Sequence, residues 1–205
     1  MRKLIADEWM SLDGVVQGPS YAGEDTQGGF SRGGWHIAYF DPVSQGRVIE
    51  NVASAGGFLF GRITYQIFAA HWPNAAPEEQ ALAEPLNTKP KYVVSSTLVE
   101  PLTWQHTTVL KGDAVEAVRA LKEEDGGDLH LIGSSQLARV LADYDLVDDY
   151  RLMIDPVVVG KGKRLFGDHA PLRHFRLEDC PPTTTGAILA TFRRERSARD
   201  DKDAG

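Results

Sequence analysis

Between Leu129 and Phe166 the chain reads LHLIGSSQLARVLADYDLVDDYRLMIDPVVVGKGKRLF. Leu129, Leu131 and Ile132 form a short apolar run closed by Gly133. Leu137, Val140 and Leu141 then recur at helical spacing before a second apolar run from Arg151 to Val159. That order is strand, tight turn, helix, strand. A helix that begins directly after a buried strand points its unpaired N–H groups and the positive end of its dipole beyond the strand, where phosphate binds readily. Gly133 permits close backbone approach. Ser134 and Ser135 stand where hydroxyls serve either as plain N-caps or as ligands to an anion.

The 205 residues, 42% of them hydrophobic, suffice for one domain with a full core. A net charge of −7 argues against a sequence-independent nucleic-acid binder, which carries a basic face. The single cysteine, Cys180, has no internal disulfide partner, and its neighbours Glu178 and Asp179 do nothing to activate a thiol. The apolar run in MRKLIADEW is too short for a signal peptide, and no segment reaches membrane-spanning length. A cytoplasmic protein without nucleic-acid or membrane partners is expected. The six histidines show no HxxxH-type ligand spacing, so no metal site is expected, and the absence of GxSxG leaves a triad hydrolase without its nucleophile elbow.

Taken in order, Leu4 to Met10 reads as a buried strand ended by the turn Ser11-Leu12-Asp13-Gly14. Gln17 to Trp35 is an aperiodic loop carrying Tyr21, Phe30 and Trp35, either a wall over a pocket or aromatics packed on the body. Asp41-Pro42 starts a helix that Gly56-Gly57 stops. Phe58 to Phe60 is a strand running into Gly61-Arg62-Ile63-Thr64-Tyr65 and a helix, a second strand–Gly–helix junction with a guanidinium and a hydroxyl beside the free N–H groups. Trp72 to Pro90 reads as a Pro- and Ala-rich connection. Lys91 to Val94 is a strand closed by Ser95-Ser96-Thr97, and Thr107 to Leu110 is another. Asp113 begins a helix ended by Gly126-Gly127. Phe175 to Leu177 and Ala187 to Phe192 form a late hairpin, and the charged tail from Glu195 to Gly205 lacks apolar periodicity. The domain is expected over residues 1–194 and a disordered tail over 195–205. Alternating strands and helices imply an α/β fold with a mostly parallel sheet covered on both faces and an antiparallel edge. A ligand cleft is expected where the strand ends at Met10, Phe60, Val94 and Ile132 converge.

SLDG at Ser11 to Gly14, GGW at Gly33 to Trp35, GRITY at Gly61 to Tyr65, KYVVSST at Lys91 to Thr97, IGSSQL at Ile132 to Leu137 and LVDDYRLMIDPVVVGKGKRLFG at Leu146 to Gly167 carry a resemblance along nearly the whole chain. The chain resembles the dihydrofolate-reductase-like family that includes the C-terminal reductase domain of bacterial riboflavin biosynthesis proteins. The resemblance implies a three-layer αβα sandwich, an NADPH-dependent reductase and a homodimer. It places Gly61, Arg62, Ile63 and Thr64 at the cofactor turn, with Arg62 near the adenosine 2′-phosphate. Ser95, Ser96 and Thr97 fall at the adenosine side, and Ile132, Gly133, Ser134, Ser135, Gln136 and Leu137 at a second phosphate turn. Many relatives have Gly in place of Ser135. Trp9, Asp13 and Val16 fall at the nicotinamide end.

The carboxylate that true dihydrofolate reductases hold on the helix before the second strand falls near Ser44 or Gln45, and neither can do its work. Folate is therefore not the expected substrate. Asp41 is assigned to the helix cap, and Asp13, Glu50 or solvent is left as the proton donor. Trp35, Tyr39, Phe68 and Trp72 are the expected walls for a flat, electron-poor heterocycle of pterin, pyrimidine or flavin type. Lys161, Lys163 and Arg164 form either a phosphate site or a solvated turn. Two other readings stand beside this one. The first is a stand-alone 5-amino-6-(5-phosphoribosylamino)uracil reductase, since the chain has no room for the zinc deaminase domain usually fused to it. The second is a nucleotide- or drug-binding protein that kept the fold without the chemistry.

Overall fold

In the computed structural model, residues 1–167 and 170–195 are described. Among these residues eight strands and five α-helices follow in chain order: β1 (Leu4–Ser11), α1 (Pro42–Ser54), β2 (Gly57–Gly61), α2 (Arg62–His71), α3 (Gln80–Thr88), β3 (Lys91–Val94), β4 (Thr107–Leu110), α4 (Ala114–Glu123), β5 (Leu129–Ile132), α5 (Ser135–Asp143), β6 (Asp149–Asp155), β7 (His174–Asp179) and β8 (Ile188–Glu195). One sheet joins all the strands in the order β4-β3-β2-β5-β1-β6-β8-β7. Pairing is parallel from β4 across to β6, and β8 then runs antiparallel to both β6 and β7. The expected α/β architecture with an antiparallel C-terminal hairpin is what the chain adopts.

The two faces of the sheet bury separate clusters. Leu4 and Ala6 of β1, with Leu129 and Leu131 of β5, meet Val115, Val118 and Leu121 of α4 and Leu137, Ala138 and Leu141 of α5. On the other face Phe58 and Phe60 meet Val52 of α1, Tyr65 of α2 and Leu86 of α3. Alternation along each strand makes this possible, because neighbouring residues serve opposite layers. Strands β2, β5 and the first half of β1 are buried on both faces, which is why they read as near-continuous apolar runs.

Three features differ from the sequence reading. The connection over residues 72–90 contains helix α3, built around buried Ala83 and Leu86 despite Pro85 within it. Tertiary burial there offsets a lost backbone bond. Strand β6 starts at Asp149 and ends at Asp155, not at Val159, because Pro156 has no N–H for the ladder and Val159 turns to pack with Val15 and Phe30. The Gly-Gly pairs do not themselves end the helices: α1 stops at Ser54 and α4 at Glu123. Instead the two pairs press backbone to backbone. A Cβ on Gly56 would lie 2.3 Å from the Gly127 carbonyl carbon. Gly56→Ala is expected to destabilise the fold by about 2 kcal/mol through forced backbone displacement, measured by urea unfolding. The expected tail falls on residues 196–205, outside the described residues, and Glu195 closes β8.

Candidate active site

Gly61 and Gly133 end neighbouring strands, and the helices that follow start side by side. Gly133 adopts φ +54°, and Ser134 continues in the left-handed region at φ 61°. That path turns the Ser134 hydroxyl away from its own helix and toward the other turn, where Oγ accepts the Gly61 N–H at 2.9 Å. Helix α5 therefore starts with no side-chain cap, and α2, whose N-cap is Gly61, has none either. Two sets of unpaired N–H groups and two helix dipoles converge on one place. The Ser134 hydroxyl does not cap its own helix but bridges the two turns.

The turns form one wall of a cleft of about 940 Å³ over the carboxyl ends of β1, β2 and β5. Its size is at the upper end of small-molecule and cofactor sites, roughly 300–1,000 Å³. The loop after β1 covers it. Residues Gly18–Tyr21 and Gly23–Gln27 line the cleft, while Phe30 is buried in the body below. Lys163 pins this cover: Nζ donates to Asp25 Oδ2 at 2.5 Å and to Gln27 Oε1 at 2.7 Å. Burial works to raise the Asp25 carboxyl, but the bonds from Lys163 and the Gln27 N–H prevail and hold it below the usual range.

On the opposite wall, Trp9 stacks on His36 with ring centroids 4.1 Å apart. His36 in turn pairs through Nδ1 with buried Asp155 at 2.8 Å. Phe40, Phe68, Trp72 and Ile132 add flat apolar surface to the cleft. Strand β1 also brings two consecutive carboxylates to it. Asp7 Oδ1 accepts from Asn51 Nδ2 at 3.0 Å, and Asn51 Oδ1 accepts from Arg151 Nη1 at 3.1 Å. Asp7 Oδ2 lies 2.9 Å from His130 Nδ1, although the two atoms are out of hydrogen-bond alignment. The Asp7 carbonyl accepts the Gly133 N–H at 3.2 Å, which ties this network to the second turn. Glu8 points to the other face, is 4% exposed and has a buried Oε1 without a partner. Burial, helped by the nearby Asp7 charge, pushes its carboxyl up to about 8.

Of the residues singled out from sequence, the structure brings together Trp9, Val16, Gly61, Arg62, Ile63, Thr64, Ile132, Gly133, Ser134, Ser135, Gln136, Leu137, Phe68 and Trp72 around this cleft. The other expected residues sit elsewhere. Ser95, Ser96 and Thr97 follow β3 beside Gly61, and Ser95 Oγ accepts the N–H groups of Thr97 and Leu98, which closes the turn on itself. Trp35 packs against the Val15, Phe30 and Val159 cluster and donates Nε1 to the Gln17 carbonyl. Tyr39 packs against Met153, Ala187 and Leu189, leaving Phe40 as the aromatic at the cleft.

Neither expected proton donor lines the cleft. The Asp13 carboxylate clasps the β6–β7 connection, accepting the Val159 and Gly160 N–H groups at 2.9 and 2.8 Å. Partial burial opposes it, but these bonds and the Ser11 hydroxyl hold it below the usual carboxylate range. Glu50 lies on the outer side of α1, its side chain 77% exposed, near Arg47. Asp41 is fully engaged as the cap: the Ser44 N–H and donors from Thr184 hold its carboxyl down to about 2. Sequence reasoning passed over Asp7, Glu8, Asn51, His130 and Arg151. The signal available was Asp-Glu inside the apolar run LIADEWM, two charges where a buried strand has no structural use for them.

Comparison with known proteins places these features in a family. The RibD C-terminal domain family model matches residues 2–189. The uncharacterized protein YyaP of Bacillus subtilis (strain 168) is 31% identical over 199 residues, covering 93% of this chain and 94% of that protein. A pyrimidine reductase-like protein from Corynebacterium diphtheriae superposes with a TM-score of 0.66 at 13% identity, covering 96% of this chain and 93% of that one. A Thermotoga maritima diaminohydroxyphosphoribosylaminopyrimidine deaminase/5-amino-6-(5-phosphoribosylamino)uracil reductase gives 0.64 at 14% identity, with 95% of this chain spanning 57% of that chain. Dihydrofolate reductase from Enterococcus faecalis, solved with NADP(H), gives 0.58 at 11% identity over 95% of this chain and 97% of that one. The fold is that of dihydrofolate reductase.

Proposed function

The chain belongs to the RibD C-terminal domain family, and from that membership we propose that it is an NADPH-dependent oxidoreductase acting on a small electron-poor heterocycle. The observation that carries the reading is the pair of uncapped helix N-termini joined by the Gly61 N–H to Ser134 Oγ bond. Uncapped N–H groups from two helices suit a pyrophosphate, which presents acceptors on two phosphorus centres. The residues present fit the cofactor: Ile63 and Thr64 on one side and Ser135 to Leu137 on the other hold the phosphates. Arg62, exposed and bonded to Gln66 Oε1 at 3.0 Å, can turn to a 2′-phosphate. Trp9 and Val16 border the nicotinamide end.

When bound, NADPH supplies the hydride. The protein orients and dries the site. Trp9, Phe40, Phe68 and Trp72 present planar apolar surface for a flat ring, and the loop tied down by Lys163 keeps water out. Folate itself does not fit the reading, because Ser44 is buried with its hydroxyl committed to the Asp41 backbone. The reading is tested by titrating the protein with NADPH and NADH, then monitoring cofactor oxidation with pterins, flavins, quinones and pyrimidines. Arg62→Ala is expected to weaken NADPH about 10-fold and leave NADH unchanged. A protein indifferent to both nucleotides at millimolar concentration overturns the assignment.

A further inference from the structure

Resting on the reductase reading, we propose that Asp7, backed by His130, delivers the proton that completes reduction of the bound heterocycle. The helix position where the resemblance puts the acid of folate enzymes falls near Ser44 or Gln45, neither of them an acid, and Asp41 is consumed as a cap. The carboxylate that reaches the same cleft comes instead from the adjoining strand. Asp7 is held in one orientation: Asn51 donates to Oδ1, and Asn51 is fixed in turn by Arg151. This leaves Oδ2 without an aligned protein donor, 2.9 Å from the imidazole of His130. His130 is 1% exposed and stands behind Asp7, away from solvent. A small rotation of either side chain aligns the two for proton transfer, with Asp7 as the catalytic residue and His130 as the positioning residue beside it.

The placement suits the chemistry. Asp7 and Trp9 alternate onto the face of β1 turned to α1, where the aromatic walls stand, and the Asp7 carbonyl is bonded to the Gly133 turn. In the proposed step the carbon of a C=N bond accepts the hydride, the π pair moves to nitrogen, and nitrogen takes a proton from the Asp7 carboxyl. The Asp7–His130 pair, one proton short after this transfer, takes one from solvent after product leaves. Glu8 is not the donor in this scheme, since its side chain lies on the opposite face, across from Leu152 in register. Charged groups lining the same cleft include Glu8 on β1, Arg47 on α1 and Arg151 on β6.

The test compares wild type with Asp7→Asn, His130→Gln and Glu8→Gln in single-turnover NADPH oxidation, using an acceptor from the panel above that the wild type reduces. Asp7→Asn is expected to slow the step about 100-fold with NADPH affinity unchanged, and to abolish the fall in rate with rising pH. His130→Gln shifts the midpoint of that fall without changing NADPH affinity. Wild-type rates in Asp7→Asn, or a loss that follows Glu8→Gln instead, overturn the proposal. A wild type that binds no NADPH or reduces no acceptor fails the reductase reading first, and this inference falls with it. Independently of any acceptor, the His130 imidazole resonance, assigned by its disappearance in His130→Gln, is expected to move on Asp7→Asn at fixed pH. An unmoved resonance shows the two side chains out of contact and removes the proposal.

Discussion

Gly133→Ala is expected to weaken NADPH binding about 10-fold while lowering the melting temperature of the free protein by only a few degrees. Space is not the obstacle, since a Cβ there meets only the Thr64 side chain, at 3.7 and 3.8 Å. Conformation is the obstacle. Gly133 sits at φ +54°, where a side chain costs roughly 1–2 kcal/mol. The free protein relieves that strain by letting the turn open, and Ser134, itself left-handed, moves with it. Binding must close the turn again and restore that strain, so up to about 1–2 kcal/mol, roughly one decade in affinity, is lost. Isothermal titration on the variant, beside a thermal melt without cofactor, separates the two effects. Unaltered affinity in a protein with a lowered melting temperature means that phosphate does not sit at this turn.

Glu8→Gln is expected to stabilise the protein at alkaline pH by several kcal/mol and to change little at pH 4. The carboxyl titrates near 4.5 when the chain is unfolded and near 8 when buried in the fold. Between these values the native state holds a proton that the unfolded state has released, so stability is full below about 4.5 and is lost as pH rises through 8. Each unit of difference corresponds to about 1.4 kcal/mol, so the whole window amounts to roughly 5 kcal/mol. Glutamine keeps the shape without the ionisation. Urea unfolding at a series of pH values reads the outcome directly, with the variant losing the downward slope across that window. Parallel curves for the two proteins would mean that Glu8 is solvated when charged. The Asp41 carboxyl has the opposite sign and acts only at acid pH: its stabilisation is present above its ordinary value of 3.8 and is lost as pH falls through about 2.

The parts of this molecule that were legible from sequence are those whose cause is local. Strands β3, β4 and β5 are short apolar or β-branched runs bounded by turn residues, and their limits fall where the pattern puts them. Both cofactor-turn candidates were legible for the same reason, since Gly61 and Gly133 each mark a strand meeting a helix. Helix α3 was not, because the reason Gln80–Thr88 coils is the burial of Ala83 and Leu86 against residues remote in sequence. The acid–base network was hidden for a related reason. Asp7, Asn51, His130 and Arg151 come from four separate elements and acquire meaning only once the sheet order sets β1 between β5 and β6. Asp13 misled because a carboxylate beside a turn glycine looks available, whereas two backbone N–H groups from the β6–β7 connection had already claimed it.

Strand β1 precedes its sheet partners in the chain by more than a hundred residues: Leu4 pairs with Leu129, and Ile5 with Asp149. Throughout synthesis of the intervening chain, this strand waits with both edges unsatisfied, the state in which nascent chains stick to one another. Asp7 and Glu8 lie in its middle, and in water both are ionised at neutral pH. They act as gatekeepers that repel premature pairing, and Glu8 surrenders its charge only when the completed sheet closes over it.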